Sequence, residues 1–425
     1  MILPSGILFL NFLRSGSSDV ETVSVTSLTG DSASHSSTSS FDHVTVPEHW
    51  EGLPPTCLKS AAISDNITDV ADSDIVRNNI SEPSKDVVFC CIYNNSRFRK
   101  PKQYDYLPKH VPLHLCSCVI YWSVDIDAGQ LVSRAPSFDH YYGLRQLGSL
   151  RRKWNTILLS VGGYPEDSFQ FARLGWDKRM MARIAVDILD TVLRFHLDGV
   201  NIHWVYPEDT CGLPYDGETL ADLLDRLKEL FHLNAQVGRH FNITLMLPGT
   251  ASIAHQHFNI SLLADKVDTL FFDTKVSTFS TNQDIARQCL LAKYNFDAAS
   301  KAISALAPVK ACFSVSLLFE AAAYPGGKPW MPHEISNESG KAALFEFCTL
   351  GVWEFTSFRG CEAYRYGKGT QGEMFFVESL TLLKRKFSKG RCVLVYHIDF
   401  DDYNGTCPSP FEQDYGLKRV RNATV

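Results

Sequence analysis

The stretch LDGVNIHWVYP, residues 197–207, decides the fold. Its first part is apolar on both faces, which suits a strand buried in a parallel sheet. Tyr206 and Pro207 read as the start of the turn that follows. Side chains alternate along a strand with period two, so Asn201, His203 and Val205 share one face. Asp198 lies near the strand start.

Similar short apolar runs recur on both sides of this stretch. They are VVFCCIY (87–93), LCSCVIYW (115–122), TILLSVGG (156–163), ITLMLPG (243–249), VDTLFFD (267–273), VKACFSVSLLF (309–319) and CVLVYHIDF (392–400). Between them lie segments with helical period: RMMARIAVDILDTVLRFH (179–196), ETLADLLDRLKELFHLNA (218–235) and, less regular, FDAASKAISALA (296–307). Strand alternating with helix predicts an α/β fold closed into a (β/α)8 TIM barrel, with an open doubly wound sheet as the alternative. In such a barrel the chemistry sits at the C-terminal strand ends, so Asn201, His203 and Val205 converge on the mouth. The longer, irregular segment 320–378 predicts a short insertion before the last helix. The barrel is placed at residues 86–425.

Residues 1–85 have another texture. TSLTGDSASHSSTSS (26–40) is low-complexity and buries too little apolar surface to fold alone, so a disordered lead-in is expected. The start, MILPSGILFLNFLRSGSS, reads as a weak signal peptide, with no basic flank and interruptions at Pro4 and Asn11.

The 197–207 stretch resembles the signature strand of glycoside hydrolase family 18, the chitinases and chitinase-like lectins, which reads D-G-x-D-x-D-x-E-Y-P, usually with Trp before the Glu. Asp198, Gly199, Trp204, Tyr206 and Pro207 match, while the two later Asp positions are Asn201 and His203 and the Glu position is Val205. Ser160, Gly162 and Gly163 resemble the family's S-x-G-G stretch, and CIYNNSRFR, LCSCVIYW, FEFC (345–348) and YHIDFDDYNGTC resemble other family segments. The resemblance implies bridges Cys91–Cys116 and Cys348–Cys407. The other cysteines stay open, a Cys361–Cys392 pair being one possibility.

The resemblance also implies a mechanism and its loss. Family enzymes protonate the glycosidic oxygen with the Glu, and the substrate's own N-acetyl group attacks, outside the two-carboxylate scheme. Such a Glu needs a raised pKa and a neighbouring carboxylate. Val205 has no proton to give, His203 replaces the neighbour, and the family's M-x-Y-D stretch falls on Asp273–Val276, with Lys275 in place of Tyr. The expectation is therefore no enzyme: a secreted pseudo-enzyme with degenerate positions Asp198, Asn201, His203 and Val205. It would bind chitin, a chito-oligosaccharide or another glycan in a lectin or growth-factor-like role. A protein-interaction scaffold, docking a cell-surface or extracellular protein, is one alternative. A residual hydrolase with a relocated acid is the other, with Glu208, Asp209, Glu166 and Asp167 as the acids to weigh.

Trp122, Tyr164, Trp204, Tyr206 and Tyr396 are the candidates for stacking on sugar rings, or else for core and rim packing. Asn66, Asn79, Asn94, Asn242, Asn259, Asn337, Asn404 and Asn422 each begin a glycosylation sequon, which points outside the cell. None of the 12 cysteines forms a zinc-like CxxC pair, so no metal or cofactor is expected. A net charge of −6 and no basic patch exclude nucleic acid as an expected partner, and LKRKFSKGR (383–391) reads as the solvated end of a helix. No apolar run is long enough to span a membrane.

Overall fold

In a computed structural model the described residues are 88–94, 105–153, 155–164, 167–205, 215–235, 240–249, 258–275, 285–304, 310–317, 319–322, 341–348, 353–358, 360–366, 373–389, 392–407 and 420. β1 (Val88–Asn94) and β2 (Cys118–Asp127) come first, and β3 (Gln130–Ser133) folds back on β2. β4 (Thr156–Gly162), β5 (Gly199–His203), β6 (Asn242–Pro248), β7 (Thr269–Asp273) and β8 (Ala311–Ser316) follow. β9 (Phe319–Ala322), β10 (Lys341–Ala342), β11 (Trp353–Phe358), β12 (Cys361–Tyr366) and β13 (Glu373–Glu378) form a separate antiparallel sheet. β14 (Cys392–Tyr396) returns to the first sheet between β8 and β1.

Parallel pairing of β1 with both β2 and β14 closes eight strands into a TIM barrel, so the open-sheet alternative is excluded. Alternate residues point inward, as period two requires. Ile92, Ile120, Leu158, Phe271 and Leu394 share one buried cluster with Met246 and Tyr396. Outside, the helix Lys178–Arg194 buries Met181, Ile184, Ala185, Ile188 and Val192, a stripe at helical spacing. Its first turn is capped by the Asp177 side chain, which accepts from the Met180 N–H. The helix Asp216–Asn234 packs beside it.

Several expectations need correction. The second strand begins at Cys118 rather than Leu115 and runs on to Asp127. The third predicted helix begins at Ile285, well before Phe296. In segment 320–378, expected to be irregular, the described residues contribute most of the antiparallel sheet. LKRKFSKGR is not simply a solvated helix end. In the helix Leu380–Lys389, Leu382, Leu383, Lys386 and Phe387 make one buried face, and Lys386 is wholly buried. Its ammonium donates to the Thr274 carbonyl (2.9 Å), the Ser314 carbonyl (2.7 Å) and the Glu378 carboxylate (2.7 Å).

Bridges join Cys91–Cys116, Cys289–Cys361, Cys312–Cys392 and Cys348–Cys407. The Cys361–Cys392 pairing is therefore wrong. Cys392 stands in register with Cys312 inside the barrel, whereas Cys361 opens β12 and reaches Cys289 on the helix Ile285–Ser304. No helix among the described residues is long and apolar enough to cross a membrane. Residues 1–85, with Cys57, lie outside the described residues.

Candidate functional site

The mouth is assembled from the C-terminal strand ends. At the end of β4 two glycines make the close packing possible. A Cβ on Gly162 (φ +83°) would lie 2.5 Å from the His203 carbonyl, and one on Gly163 (φ +110°) 2.5 Å from the Trp122 ring. Both φ values also disfavour any other residue. The Trp122 indole, half-buried, meets His203 edge-on at 4.8 Å and Tyr396 at 5.9 Å between ring centres, with Tyr164 at 6.1 Å.

Asn201 sits one layer below the mouth and is fully buried. Its amide donates to the Ser160 hydroxyl (3.1 Å) and its carbonyl accepts from the Thr244 hydroxyl (3.0 Å), so it closes a neutral polar layer. Asp198 lies at the opposite, N-terminal end of β5. It accepts the Ile157 N–H (3.0 Å) and pairs with Arg151, stitching β4 to β5 far from the mouth. Val205, just beyond β5, is half-buried.

His203 is buried, and its Nδ1 has no hydrogen-bond partner. Burial pulls its pKa down to about 3; Asp273 opposes that and Lys275 adds to it. The ring is thus neutral at physiological pH. Asp273, at the end of β7, pairs with the Lys275 ammonium and accepts from the Ser314 hydroxyl (2.9 Å). Burial alone would raise its carboxyl, but Lys275, His203 and Ser314 outweigh burial and hold it below the usual carboxylate range. The Ser314 hydroxyl also accepts the Thr274 and Lys275 N–H groups at 2.8 and 2.9 Å. The Lys275 ammonium lies 4.3 Å from the centre of the Tyr396 ring, and Tyr396 is only 5 % exposed. These mouth groups offer one neutral imidazole, one ion-paired carboxylate and aromatic faces.

A second cluster borders Tyr164. Arg134, from β3's end, donates to both oxygens of Asp167 (2.8 and 2.7 Å) and lies 4.4 Å over the Tyr164 ring. Its other face reaches Asp125 at 3.4 Å. Asp167 is pushed up to about 6, first by burial; Arg134 opposes this and a hydrogen bond with Asp125 adds to it. A carboxyl titrating near pH 6 is expected in carbon-13 carboxyl NMR, and Asp125→Asn is expected to move it down. No carboxyl titration between pH 5 and 7 would overturn the paired arrangement. Because the folded pKa is raised, this group's stabilising contribution is complete below about pH 4 and fades as pH rises through about 6. Neither Asp125 nor Arg134 was singled out from the sequence. The available signal was VDIDAGQLV (124–132), where Ala-Gly separates two extended runs as a hairpin turn does.

The remaining candidates separate. Trp204 is 2 % exposed, stacked on Phe171 (5.3 Å) and donating its indole N–H to Ser168 (2.8 Å), so it is packed behind the mouth. Tyr206, Glu166, Glu208 and Asp209 lie outside the described residues, as do Asn66, Asn79, Asn337 and Asn422. Asn259 and Asn404 are exposed, while Asn94 and Asn242 are half-buried. The Asn259 carbonyl caps the helix Ile260–Ala264.

Residues 88–288 match the family model for glycosyl hydrolases family 18. Over this region the chain is similar to glycoside hydrolase family 18. Among curated proteins the chain is similar to Probable chitinase 2 of Drosophila melanogaster, 24% identical over 160 residues. That alignment takes in 35% of this chain and 33% of the fly protein, so the chain spans about a third of that relative's length. Among solved structures, the Group IV chitinase of Ostrinia furnacalis superposes with a TM-score of 0.66 at 19% identity, covering 80% of this chain and 99% of that one. Human YKL-39, described as a pseudo-chitinase with retained chitooligosaccharide binding properties, gives 0.63 at 16% identity, covering 79% of this chain and 99% of that one. At these identities the structural likeness is one of fold. Within the barrel, His203, Asp273, Lys275 and Tyr396 gather at the C-terminal strand ends.

Proposed function

We propose that the protein is a secreted, non-hydrolysing, chitinase-like protein that binds a chito-oligosaccharide or related glycan at the barrel mouth. One observation carries this reading: where the family resemblance calls for the proton donor the chain has Val205, beside a histidine that stays neutral down to about pH 3. Removing a positioned general acid lowers rate by roughly 10²–10⁴-fold by itself. Neither mouth group replaces it. His203 holds no proton to give at neutral pH, and Asp273 is kept ionised by its ammonium partner. Binding is supported by the half-buried faces of Trp122 and Tyr164. The YKL-39 comparison supplies a precedent on the same fold. Four disulfides among the described residues agree with an oxidising, extracellular setting.

The test is calorimetry with a chitin hexamer on the glycosylated protein, beside turnover of a chromogenic chitobioside between about pH 4 and 8, where raised carboxyls and His titrate. Saturable heat in the micromolar range and no turnover are expected. Turnover would overturn the non-hydrolysing reading, and its loss in Glu208→Gln or in Asp167→Asn, whose carboxyl is raised to about 6 beside Asp125, would identify the relocated acid. A second reading, a scaffold for a protein partner, is favoured by Lys275 lying over Tyr396. Absence of heat from a folded protein would select it.

A further inference from the structure

We propose that Cys90 and Cys118 form a further cross-link of the barrel, a disulfide beyond the four already bridged among the described residues. The two residues are direct partners in register on the parallel strands β1 and β2. Neighbouring strands stand roughly 4.7–4.9 Å apart, within the roughly 4.4–6.8 Å between Cα atoms that a disulfide spans. The same barrel supplies the precedent. Cys392 and Cys312 are partners in register on the parallel strands β14 and β8, and they are bridged with Cα atoms 4.7 Å apart. All four cysteines belong to one buried interior cluster. Both are free thiols in the structure, and the Cys90 side chain first, with burial second, pushes the Cys118 pKa well up.

Alternation along β1 fixes which cysteine pairs with which. Cys90 faces the interior cluster, and Cys91, on the other face of β1, is already joined to Cys116. The chemistry is thiol–disulfide exchange with a protein disulfide of the oxidising compartment. One thiolate attacks the oxidant's disulfide and gives a mixed disulfide. The second thiolate then attacks that bond, closing Cys90–Cys118 and releasing the oxidant as a dithiol that carries the two protons. With Cys90 4 % and Cys118 6 % exposed, this exchange belongs to folding, before the barrel closes. Along the sheet order β8-β14-β1-β2, the two interior bridges then flank the β14–β1 seam.

The experiment is alkylation of the secreted, unreduced protein in denaturant, followed by trypsin and mass spectrometry. The Cys90–Cys91 and Cys116–Cys118 peptides are joined in any case by Cys91–Cys116. With both bridges the joined pair carries no alkyl group. Two alkyl groups, at Cys90 and Cys118, in protein whose Cys312 and Cys392 stay unmodified would overturn the proposal. In Cys90→Ser the expected result is one alkyl group, on Cys118. The fraction so labelled reads free thiol directly, so the variant need not match the parent in stability.

Discussion

Lys386→Met is expected to destabilise the folded chain by about 3–5 kcal/mol, the usual result of stripping one partner from a buried ion pair. Lys386 is 0 % and Glu378 1 % exposed, so the substitution takes this ammonium away from a buried carboxylate. The Thr274 and Ser314 carbonyls each lose this donor as well, Ser314 keeping the Thr274 hydroxyl at 3.0 Å. Methionine keeps most of the side-chain volume, so the loss is electrostatic rather than a cavity effect. Lys386→Met with Glu378→Leu is expected to recover part of it, because replacing both charges of the pair by apolar groups is often near neutral. Urea unfolding at pH 7 of the parent, both single variants and the double variant closes the cycle. A single-variant loss below about 1 kcal/mol would show that water reaches the pair and that the assignment is wrong.

Acid is expected to weaken the fold through His203. An ordinary histidine titrates near 6.5, while this one is held at about 3 by burial. The unfolded chain therefore binds the proton first. The stabilisation is complete above about pH 6.5 and is lost as pH falls toward 3, with about 3 kcal/mol gone by pH 4. Asp273, held low, adds in the same direction, whereas Asp167, raised only from 3.8 to about 6, opposes by less. His203→Phe keeps a ring against Trp122 and removes the titration. The stability difference between pH 7 and pH 4 is expected to shrink by about 3 kcal/mol in that variant, measured by urea unfolding at both pH values. An unchanged difference would mean that His203 is solvated in solution.

The barrel was legible because its strands are buried on both faces and leave continuous apolar runs such as TILLSVGG and CVLVY. The inserted sheet was not. WEFTSF, CEAYRY and EMFFVE mix polar and apolar residues, and against the barrel's runs they read as irregular. At the mouth, the sequence pointed to His203, Val205, Lys275 and Tyr396 by position on their strands. It could not indicate that Lys275 would pair with Asp273 two residues away and lie on Tyr396 from another strand. Lys386 was hidden for a related reason. A lysine among lysines and arginines looks solvated until the fold sets a carboxylate from the inserted sheet beside it. Charge alone does not mark burial; the apolar stripe through Leu382, Leu383 and Phe387 did.

The ammonium on the Tyr396 ring makes the protein its own competitor. Any ring that stacks there must first lift Lys275 away. Such a cation–aromatic contact is worth roughly 0.5–2 kcal/mol, so it discounts the affinity of an incoming ligand by a factor of about 2 to about 30. Only the fraction of molecules with Lys275 displaced is competent to bind at that ring, and apparent affinity scales with that fraction. Saturation there would therefore reflect how often a side chain steps aside as much as how well a guest fits.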